Sequence, residues 1–209
     1  MTGPDIRPIG DDALALIVTD RSKRHALAAA LRATGKWRDV VPGKGDVTVQ
    51  FDPLALPPAE ALAILTEQAR TPPRPDALAA APVTLTLLAD TASAPDLAAV
   101  ADANRLTQDA LLARIAASPL IVDMMGFTPG FAYVEGVDPA LQAERLAAPR
   151  QKVPAGSVGI LTGQLGFYAL SGPAGWPVIG RILEPLFDPA AATPFRLEAG
   201  MHIQIEIRR

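Results

Sequence analysis

Apolar residues in the first part of the chain form short strand-like runs and one-sided helical segments. Residues 13–18 are an apolar run and residues 47–51 alternate apolar with polar side chains, and both patterns predict strands. Between them, the alanine- and leucine-rich residues 23–34 predict a helix, with Ser22 as its N-cap and Gly35 as its stop. The first part of the chain therefore mixes strands and helices.

A second helix and a proline-rich connector follow. Two prolines at positions 57 and 58 predict the start of a helix that runs to residue 70. One face of this helix is expected to carry Leu62, Leu65 and Ala69. Residues 71–81 read T-P-P-R-P-D-A-L-A-A-A, and their prolines prevent a helix and favour an extended linker. We therefore expect two domains, over residues 1–80 and 81–209.

The second domain begins with a mixed segment and then becomes mainly β. Residues 83–88 predict a strand, and residues 95–104 and 107–117 predict helices, the second capped by Thr107. Later apolar or alternating runs, separated by glycine and proline, predict strands over residues 121–125, 158–161, 167–170 and 201–207. Several short strands of this kind indicate a barrel or a compact sandwich. The chain as a whole is thus expected to have an α+β fold.

The two histidines are expected to lie on the surface. In the last predicted strand, His202 belongs to the polar face, opposite a face of methionine and isoleucine. His25 falls in the first turn of the first predicted helix, where we expect contact with solvent. With no cysteine in the chain, disulfides, thiolate catalysis and cysteine-ligated zinc are excluded, and two distant histidines predict no metal site.

Composition and charge favour a protein with a real core and a small-molecule or protein partner. The 209 residues are 49% hydrophobic and carry a formal charge of −3, which predicts neither nucleic-acid binding nor disorder. No apolar stretch approaches the roughly 20 residues that a membrane-spanning helix needs. The first residues lack the basic and apolar regions of a signal peptide, so a cytoplasmic location is expected.

Residues 126–181 concentrate glycine, proline and aromatic side chains. They include G-F-T-P-G-F-A-Y at 126–133, P-R-Q-K-V-P-A-G-S-V-G-I at 149–160 and G-Q-L-G-F-Y at 163–168. This composition is typical of tight turns that hold aromatic rings around a cleft. We place the functional site there.

Two enzyme motifs fail on inspection. A-G-S-V-G at 155–159 resembles a weakened nucleophile elbow, but that motif also needs a histidine base, and the only downstream histidine, His202, is assigned to a strand face. Ser157 is therefore interpreted as a turn or binding residue. Gly43-Lys44-Gly45 is too short for a dinucleotide fingerprint, and no Walker motif occurs. A nucleotide site, if the protein uses ATP, is unorthodox or lies on a partner.

The candidate cleft also carries an uneven charge. No aspartate or glutamate occurs between Arg145 and Leu183, whereas Arg150, Lys152 and Arg181 fall in that interval. Arginine presents a planar fork that matches a carboxylate or a phosphate, and an aromatic-walled pocket would strengthen the attraction. The alternative is that these cations are scattered over the surface, because proximity in a β-rich sequence does not ensure convergence.

These motifs resemble the family of 5-oxoprolinase B-type subunits, also known as allophanate hydrolase subunit 1 and as the Kip-type inhibitor of a sporulation histidine kinase. The resemblance covers nearly the whole chain and rests on the G-F-x-P-G-F-x-Y run, the P-R-x-x-V-P-A-G-S-V-G-I run, the glycine-tryptophan turn and I-G-R at 179–181. It implies a small N-terminal α/β domain followed by a cyclophilin-like β-barrel domain.

The resemblance implies one component of a larger enzyme, inactive by itself. It predicts a partner homologous to the C-type subunit, with a further A-type subunit, in a hydrolase that opens 5-oxoproline to glutamate at the expense of ATP. ATP would act in the complex, through a site that is not wholly on this chain. Alternatives are the carboxyltransferase-like part of a urea or allophanate pathway, and a regulatory inhibitor of a sensor histidine kinase.

The shared motifs also imply binding residues for a small carboxylate or amide. Carried over by position, the predicted substrate-binding residues are Arg150, Gln164, Tyr168, Arg181, Ser157, Phe127, Phe131, Tyr133 and Trp176. No catalytic, cofactor-binding or metal-binding residue is assigned. Family members usually carry a histidine eleven residues before the G-F pair, where this chain has Ile115. Its loss favours a changed substrate or a regulatory role.

Overall fold

A computed structural model describes residues 3–70 and 81–209 of the chain. The chain divides into two compact units, Met1–Ala79 and Ala80–Arg209. The linker predicted over residues 71–81 falls almost entirely outside the described residues, as does the predicted domain boundary. Within the described residues, no helix is long and apolar enough to cross a membrane.

The first unit contains a four-stranded antiparallel sheet in the order β1-β2-β4-β3. Its strands are β1 (Ile6–Ile9), β2 (Ala13–Ile17), β3 (Asp39–Pro42) and β4 (Asp46–Gln50). The two central strands, β2 and β4, confirm the strands predicted from their apolar patterns. The two edge strands have no counterpart among the predictions, because each contains a proline and exposes several of its side chains.

Two helices complete the first unit, α1 (Arg21–Ala33) and α2 (Pro58–Arg70). Both confirm the predicted helices, and Gly35 follows α1 with a φ of +63°, as a helix stop requires. The predicted N-cap is wrong by two residues. The side chain of Asp20, not Ser22, accepts the hydrogen bond from the backbone N–H of Lys23, at 2.9 Å.

Two side chains of the first unit contradict the burial predicted for them. His25, predicted to contact solvent, is buried, because α1 turns the face that contains Ala26 and Leu27 toward the core. Leu62, predicted in the apolar stripe of α2, is exposed, and Ala61 and Leu65 are the fully buried residues of that helix.

The second unit is built around a closed seven-stranded barrel in the order β10-β7-β6-β13-β5-β12-β9, which confirms the predicted α+β fold with a cyclophilin-like barrel. The pairing of β5 with β13 is parallel. A separate hairpin pairs β8 with β11. The strands are β5 (Val83–Leu88), β6 (Leu120–Met125), β7 (Ala132–Glu135), β8 (Arg150–Val153), β9 (Ser157–Leu161), β10 (Gln164–Phe167), β11 (Gly172–Ala174), β12 (Val178–Ile182) and β13 (His202–Arg208).

Two short helices pack against this barrel, α3 (Leu97–Ala103) and α4 (Gln108–Ala116). Both confirm the predicted helices, and the hydroxyl of Thr107 caps α4 by accepting a hydrogen bond from the backbone N–H of Ala110. Ile115 is fully buried in the main apolar cluster of the second unit. The position of the family histidine therefore faces the core in this protein.

The strand predictions of the second unit are mixed. In β13, Ile203 and Ile205 are buried and His202 is exposed, which confirms the predicted alternation. The strand predicted over residues 167–170 is wrong, because β10 ends at Phe167. The sequence did not reveal β8, whose residues R-Q-K-V lack an apolar pattern, or β12, where a register shift between Val178 and Gly180 interrupts the pairing.

Two glycines with left-handed backbones provide a test of packing in the barrel domain. At Gly136, a Cβ atom would lie 2.1 Å from the carbonyl oxygen of Pro119, whereas at Gly163 it would meet nothing within 4 Å. Both have a positive φ, of +94° and +78°. The two positions share the backbone strain of substitution and differ in the clash.

We expect Gly163→Ala to lower the free energy of unfolding by roughly 1–2 kcal/mol, the cost of a left-handed alanine. Gly136→Ala should lower it by at least about 2 kcal/mol more, because the carbonyl of Pro119 must move. Urea denaturation of both variants measures the difference. Equal losses would show that the clash at Gly136 is relieved without cost.

Candidate functional site

The aromatic residues of the motif region gather in one cluster on the barrel. The ring of Phe131 lies at its centre, 4.8 Å from Tyr133, 4.9 Å from Tyr168 and 6.3 Å from Trp176 between ring centroids. All three contacts are edge-to-face, an arrangement that favours the interaction of ring quadrupoles. We call Phe127, Phe131, Tyr133, Tyr168 and Trp176 the aromatic cluster.

A pair of glycines makes room for these rings. Gly159 on β9 and Gly166 on β10 are directly opposed. A Cβ atom at Gly166 would lie 2.7 Å from Cζ of Phe131, and one at Gly159 would lie 2.8 Å from Cβ of Trp176. The V-G-I and L-G-F-Y segments of the sequence thus contain glycine because aromatic side chains lie directly against the backbone.

Tyr168 and Trp176 are buried, and a cation lies near both. Burial raises the pKa of the Tyr168 hydroxyl, and the nearby charge of Arg145 partly opposes the rise. The guanidinium carbon of Arg145 lies 5.8 Å from the centre of the Trp176 ring, which is a cation-π contact. The phenol of Tyr168 therefore remains neutral in this cluster at physiological pH.

Phe127 is the exposed edge of the aromatic cluster. It packs edge-to-face on Phe131 at 5.4 Å, yet 62% of its surface is accessible to solvent. Its φ of +68° is unusual for a residue with a side chain and stores backbone strain. A large apolar ring that is both strained and exposed is typical of a residue presented to a partner.

A cavity lined by cations lies beside the aromatic cluster. Its volume is about 380 Å³. The polar residues that line it are Ser93, Arg150, Lys152, Ser157 and Arg181. Val153 and Val178 form part of its wall and also pack in the aromatic cluster, so the rings support the wall from behind. We call this space the cationic cavity.

Within the cavity, Arg150 is already paired. Its two terminal nitrogens donate to the two carboxylate oxygens of Asp96, each at 2.7 Å. The side chain of Asp96 is 14% exposed and also accepts a hydrogen bond from the backbone N–H of Val178 at 2.7 Å. This bidentate pair neutralises Arg150 and fixes its orientation.

The remaining cations of the cavity have no such partner. Among the residues that the structure describes, Arg181 and Lys152 form no ion pair with a carboxylate. Asp90 feels the charge of Arg181, but the main cause of its lowered pKa is hydrogen bonding from Ser93. Asp90 is exposed and lies outside the cavity lining, where solvent screens it.

Ser157 adds a hydroxyl to the cavity. The residue is 2% exposed, and its side chain forms no hydrogen bond within the described part of the chain. Its backbone is held in β9, where its carbonyl accepts from the N–H of Tyr168. A hydroxyl held in this way in the same cavity as Arg181 can donate to an anion or to a carbonyl oxygen.

The structure thus divides the predicted binding residues into three groups. Arg150, Ser157 and Arg181 meet at the cationic cavity, and the five aromatic residues form the adjacent cluster. Gln164 belongs to neither group. It begins β10, where its side-chain N–H donates to Glu135 at 3.2 Å. Gln164 and Tyr168 therefore lie at opposite ends of β10 rather than around one ligand.

Sequence reasoning did not find Asp96 as a residue of the site. It lies 54 positions before Arg150, outside the motif region. Residues 145–183 contain no carboxylate of their own, and the one that neutralises Arg150 comes from the start of α3. Its only local signal is an acidic residue at the N-terminus of a predicted helix, which commonly serves as a cap.

The other features of the described residues give little support for a second site. A groove of about 410 Å³ beside α3 is lined mainly by apolar residues together with Asp96 and Glu144, and no lysine or arginine lines it there. No group of three or more histidine, aspartate or glutamate side chains is placed to hold a metal ion in residues 3–70 and 81–209. Ile115 lies in the core and lines neither the groove nor the cationic cavity.

Comparison with curated proteins finds relatives with a common name. The chain is 40% identical over 106 residues to the 5-oxoprolinase B subunit of Bacillus subtilis strain 168, and 41% identical over 109 residues to that of Escherichia coli O157:H7. These alignments cover 51% and 52% of this chain, and 44% and 50% of the relatives. The chain therefore spans about half the length of the curated relatives it matches.

Solved structures share the fold. TTHA0988 is 30% identical with a TM-score of 0.81, covering 98% of this chain and 40% of that one. The uncharacterized protein PH0987 of Pyrococcus horikoshii is 31% identical with a TM-score of 0.60, covering 98% and 97%. The urea carboxylase of Kluyveromyces lactis shares the fold alone, at 14% identity and a TM-score of 0.68, over 99% of this chain and 22% of that one.

A sequence model of one protein family covers almost the whole chain. The family is described as the carboxyltransferase domain, subdomain C and D, and the match extends over residues 4–197. Together with the curated relatives, this match confirms the resemblance to 5-oxoprolinase B-type subunits that the motifs predict. The chain belongs to the carboxyltransferase domain, subdomain C and D, family.

Proposed function

We propose that this protein is the B-type subunit of an ATP-dependent 5-oxoprolinase, which opens 5-oxoproline to glutamate together with homologues of the C-type and A-type subunits. Its relatives carry the name of a 5-oxoprolinase subunit, and its motifs are the ones that the resemblance rests on. In this proposal the chain contributes the binding site for the acidic substrate.

The observation that carries the proposal is the state of Arg181. It is half-buried in a cavity, forms no ion pair among the described residues and shares that cavity with the unbonded hydroxyl of Ser157. A guanidinium held in a partly desolvated site favours a carboxylate, and a neighbouring hydroxyl can donate to the lactam oxygen. 5-Oxoproline offers both of these groups on one small ring.

The same cavity supports a chain that is inactive alone. Its lining supplies hydroxyls and cations, but no histidine or unpaired carboxylate that could serve as a general base lines it among the described residues. The sequence has no Walker motif. We therefore place the nucleotide site and the remaining catalytic groups on the partner subunits.

Phe127 supports the expectation of a partner. The exposed ring lies at the edge of the aromatic cluster, whose other rings are packed on the barrel. Covering this ring on association would remove apolar surface from water, and aromatic residues of this kind often dominate an interface. We assign this edge to the contact with the homologue of the C-type subunit.

A second candidate function is carboxyltransferase-like chemistry in a urea or allophanate pathway. The description of the matching family favours it. The two candidates share a need for a partner subunit and differ in the reaction. Inhibition of a sensor histidine kinase is a weaker candidate, because the described structure holds a polar cavity that a pure interaction protein does not need.

The first prediction tests the reaction. We expect the purified chain to release no glutamate from 5-oxoproline and ATP, and the complex with the A-type and C-type homologues to release it. Coupled assay of glutamate and ADP measures both. Turnover by the chain alone would contradict the division of labour. ATP-dependent turnover of urea or allophanate, without turnover of 5-oxoproline, would favour the second candidate.

The second prediction separates the two arginines. Arg150→Ala should lower the free energy of unfolding by about 2–3 kcal/mol, because it leaves the poorly exposed Asp96 carboxylate without its partner. Arg181→Ala should change stability by less than about 0.5 kcal/mol, yet weaken 5-oxoproline binding by roughly 30-fold or more.

Urea denaturation and substrate titration of the complex measure these effects. Arg114→Ala is the matched control, because its side chain is exposed and lies 3.6 Å from Asp138 in a weak ion pair. A normal affinity in folded Arg181→Ala would rule out the carboxylate site.

The third prediction tests the assembly. Replacing Phe127 with serine should remove the apolar anchor and separate this chain from the C-type homologue at micromolar concentration. Leu54→Ser is the control, because Leu54 is 97% exposed in the first unit and far from the aromatic cluster in the sequence. Size-exclusion chromatography of the co-expressed chains measures the result. Unchanged co-elution of Phe127→Ser would show that another surface makes the contact.

A further inference from the structure

The charge of the cationic cavity exceeds that of a single carboxylate. Three cationic side chains line it, and one of them, Arg150, is neutralised by Asp96. Arg181 and Lys152 remain, and neither forms an ion pair among the described residues. Asp90 offsets part of the charge of Arg181 from outside the lining. A bound monocarboxylate would leave the charge of Lys152 uncompensated.

The volume of the cavity also exceeds what one small ring needs. About 380 Å³ falls within the roughly 300–1,000 Å³ of pockets that take ligands the size of a drug. 5-Oxoproline is a five-membered ring with a single carboxylate. Lys152 and Arg181 are contributed by different strands, β8 and β12, so the two charges reach the cavity from two different elements.

We propose that the cationic cavity binds a carboxylic acid that also carries a phosphate group, with the carboxylate at Arg181 and the phosphate at Lys152. The guanidinium fork matches the two oxygens of a carboxylate. A lysine ammonium acts as a compact point charge and is a common binder of phosphate. The hydroxyls of Ser157 and Ser93 in the lining can donate to the remaining oxygens.

This inference rests on the proposed function only in placing the carboxylate at Arg181. It adds a second anionic group, for which the reaction partners of the protein need not be known. Because both cations belong to this chain, the site can be tested on the full chain without its partner subunits.

The test uses phosphonoacetate, which carries a carboxylate and a phosphonate, and compares it with 5-oxoproline by calorimetric or NMR titration. In the wild type, we expect phosphonoacetate to bind at least about tenfold more tightly, because the second charge–charge contact adds to the first. Lys152→Met should remove most of this advantage and leave the 5-oxoproline affinity within about twofold. Arg181→Met should weaken both ligands.

Lys23→Met provides the matched control, because Lys23 is an exposed lysine in the first turn of α1. It should alter neither affinity. Thermal unfolding of each variant checks that the fold is retained, and Lys152 is exposed enough that its loss should not affect folding.

Two outcomes would overturn the inference. Phosphonoacetate that binds no more tightly than 5-oxoproline would show that the second charge is not used. An advantage that survives in Lys152→Met would place the phosphonate elsewhere. If phosphonoacetate binds through both cations and the complex fails to turn over 5-oxoproline, the inference stands and the proposed reaction is wrong.

Discussion

The carboxylate of Asp96 is the group on which the candidate site depends. It accepts two hydrogen bonds from Arg150 and one from the backbone of Val178, while the backbone N–H of Asp96 donates to the carbonyl of Val178 at 3.0 Å. These contacts join the N-terminus of α3 to β12 and to the β8–β11 hairpin. Because the carboxylate is poorly exposed, each bond is stronger than it would be in water. The wall of the cavity is fixed by this single residue.

That pairing also decides which cation is available. With Arg150 held in a bidentate contact, a ligand that bound to it would have to displace Asp96 and leave a poorly solvated carboxylate unpaired. Arg181 and Lys152 carry no such cost. The site therefore discriminates between cations that look equivalent in the sequence, and the arginine in the more prominent motif, P-R-Q-K-V, has the structural role.

The fold could be predicted where the local pattern and the tertiary environment agree. The helices α1 and α4 and the strand β5 have apolar periodicities, caps or flanking turns that specify them without the rest of the chain. The edge strands β1 and β3 and the hairpin strands β8 and β11 lack such a pattern, because they expose polar side chains or contain proline and glycine. His25 is buried by the orientation of α1, which its position in the first turn does not reveal.

The candidate site was only partly predictable for the same reason. The glycines that flank the aromatic residues indicated close packing of rings, and Gly159 and Gly166 provide it. The cations of residues 145–183 indicated a positive region, and Arg150, Lys152 and Arg181 do line one cavity. The sequence could not show that Asp96 neutralises Arg150, or that Gln164 begins a strand beside Glu135, because both contacts join distant segments.

The account depends on Arg181, and not Arg150, being the arginine that meets an anionic ligand. Arginine side-chain Nε–Hε resonances of the full chain, followed by NMR during titration with 5-oxoproline, report on both residues at once. We expect the Arg181 resonance to shift with saturation and the Arg150 resonance to stay in place, because Asp96 already holds its guanidinium. A saturable shift of Arg150 with an unchanged Arg181 would contradict the account.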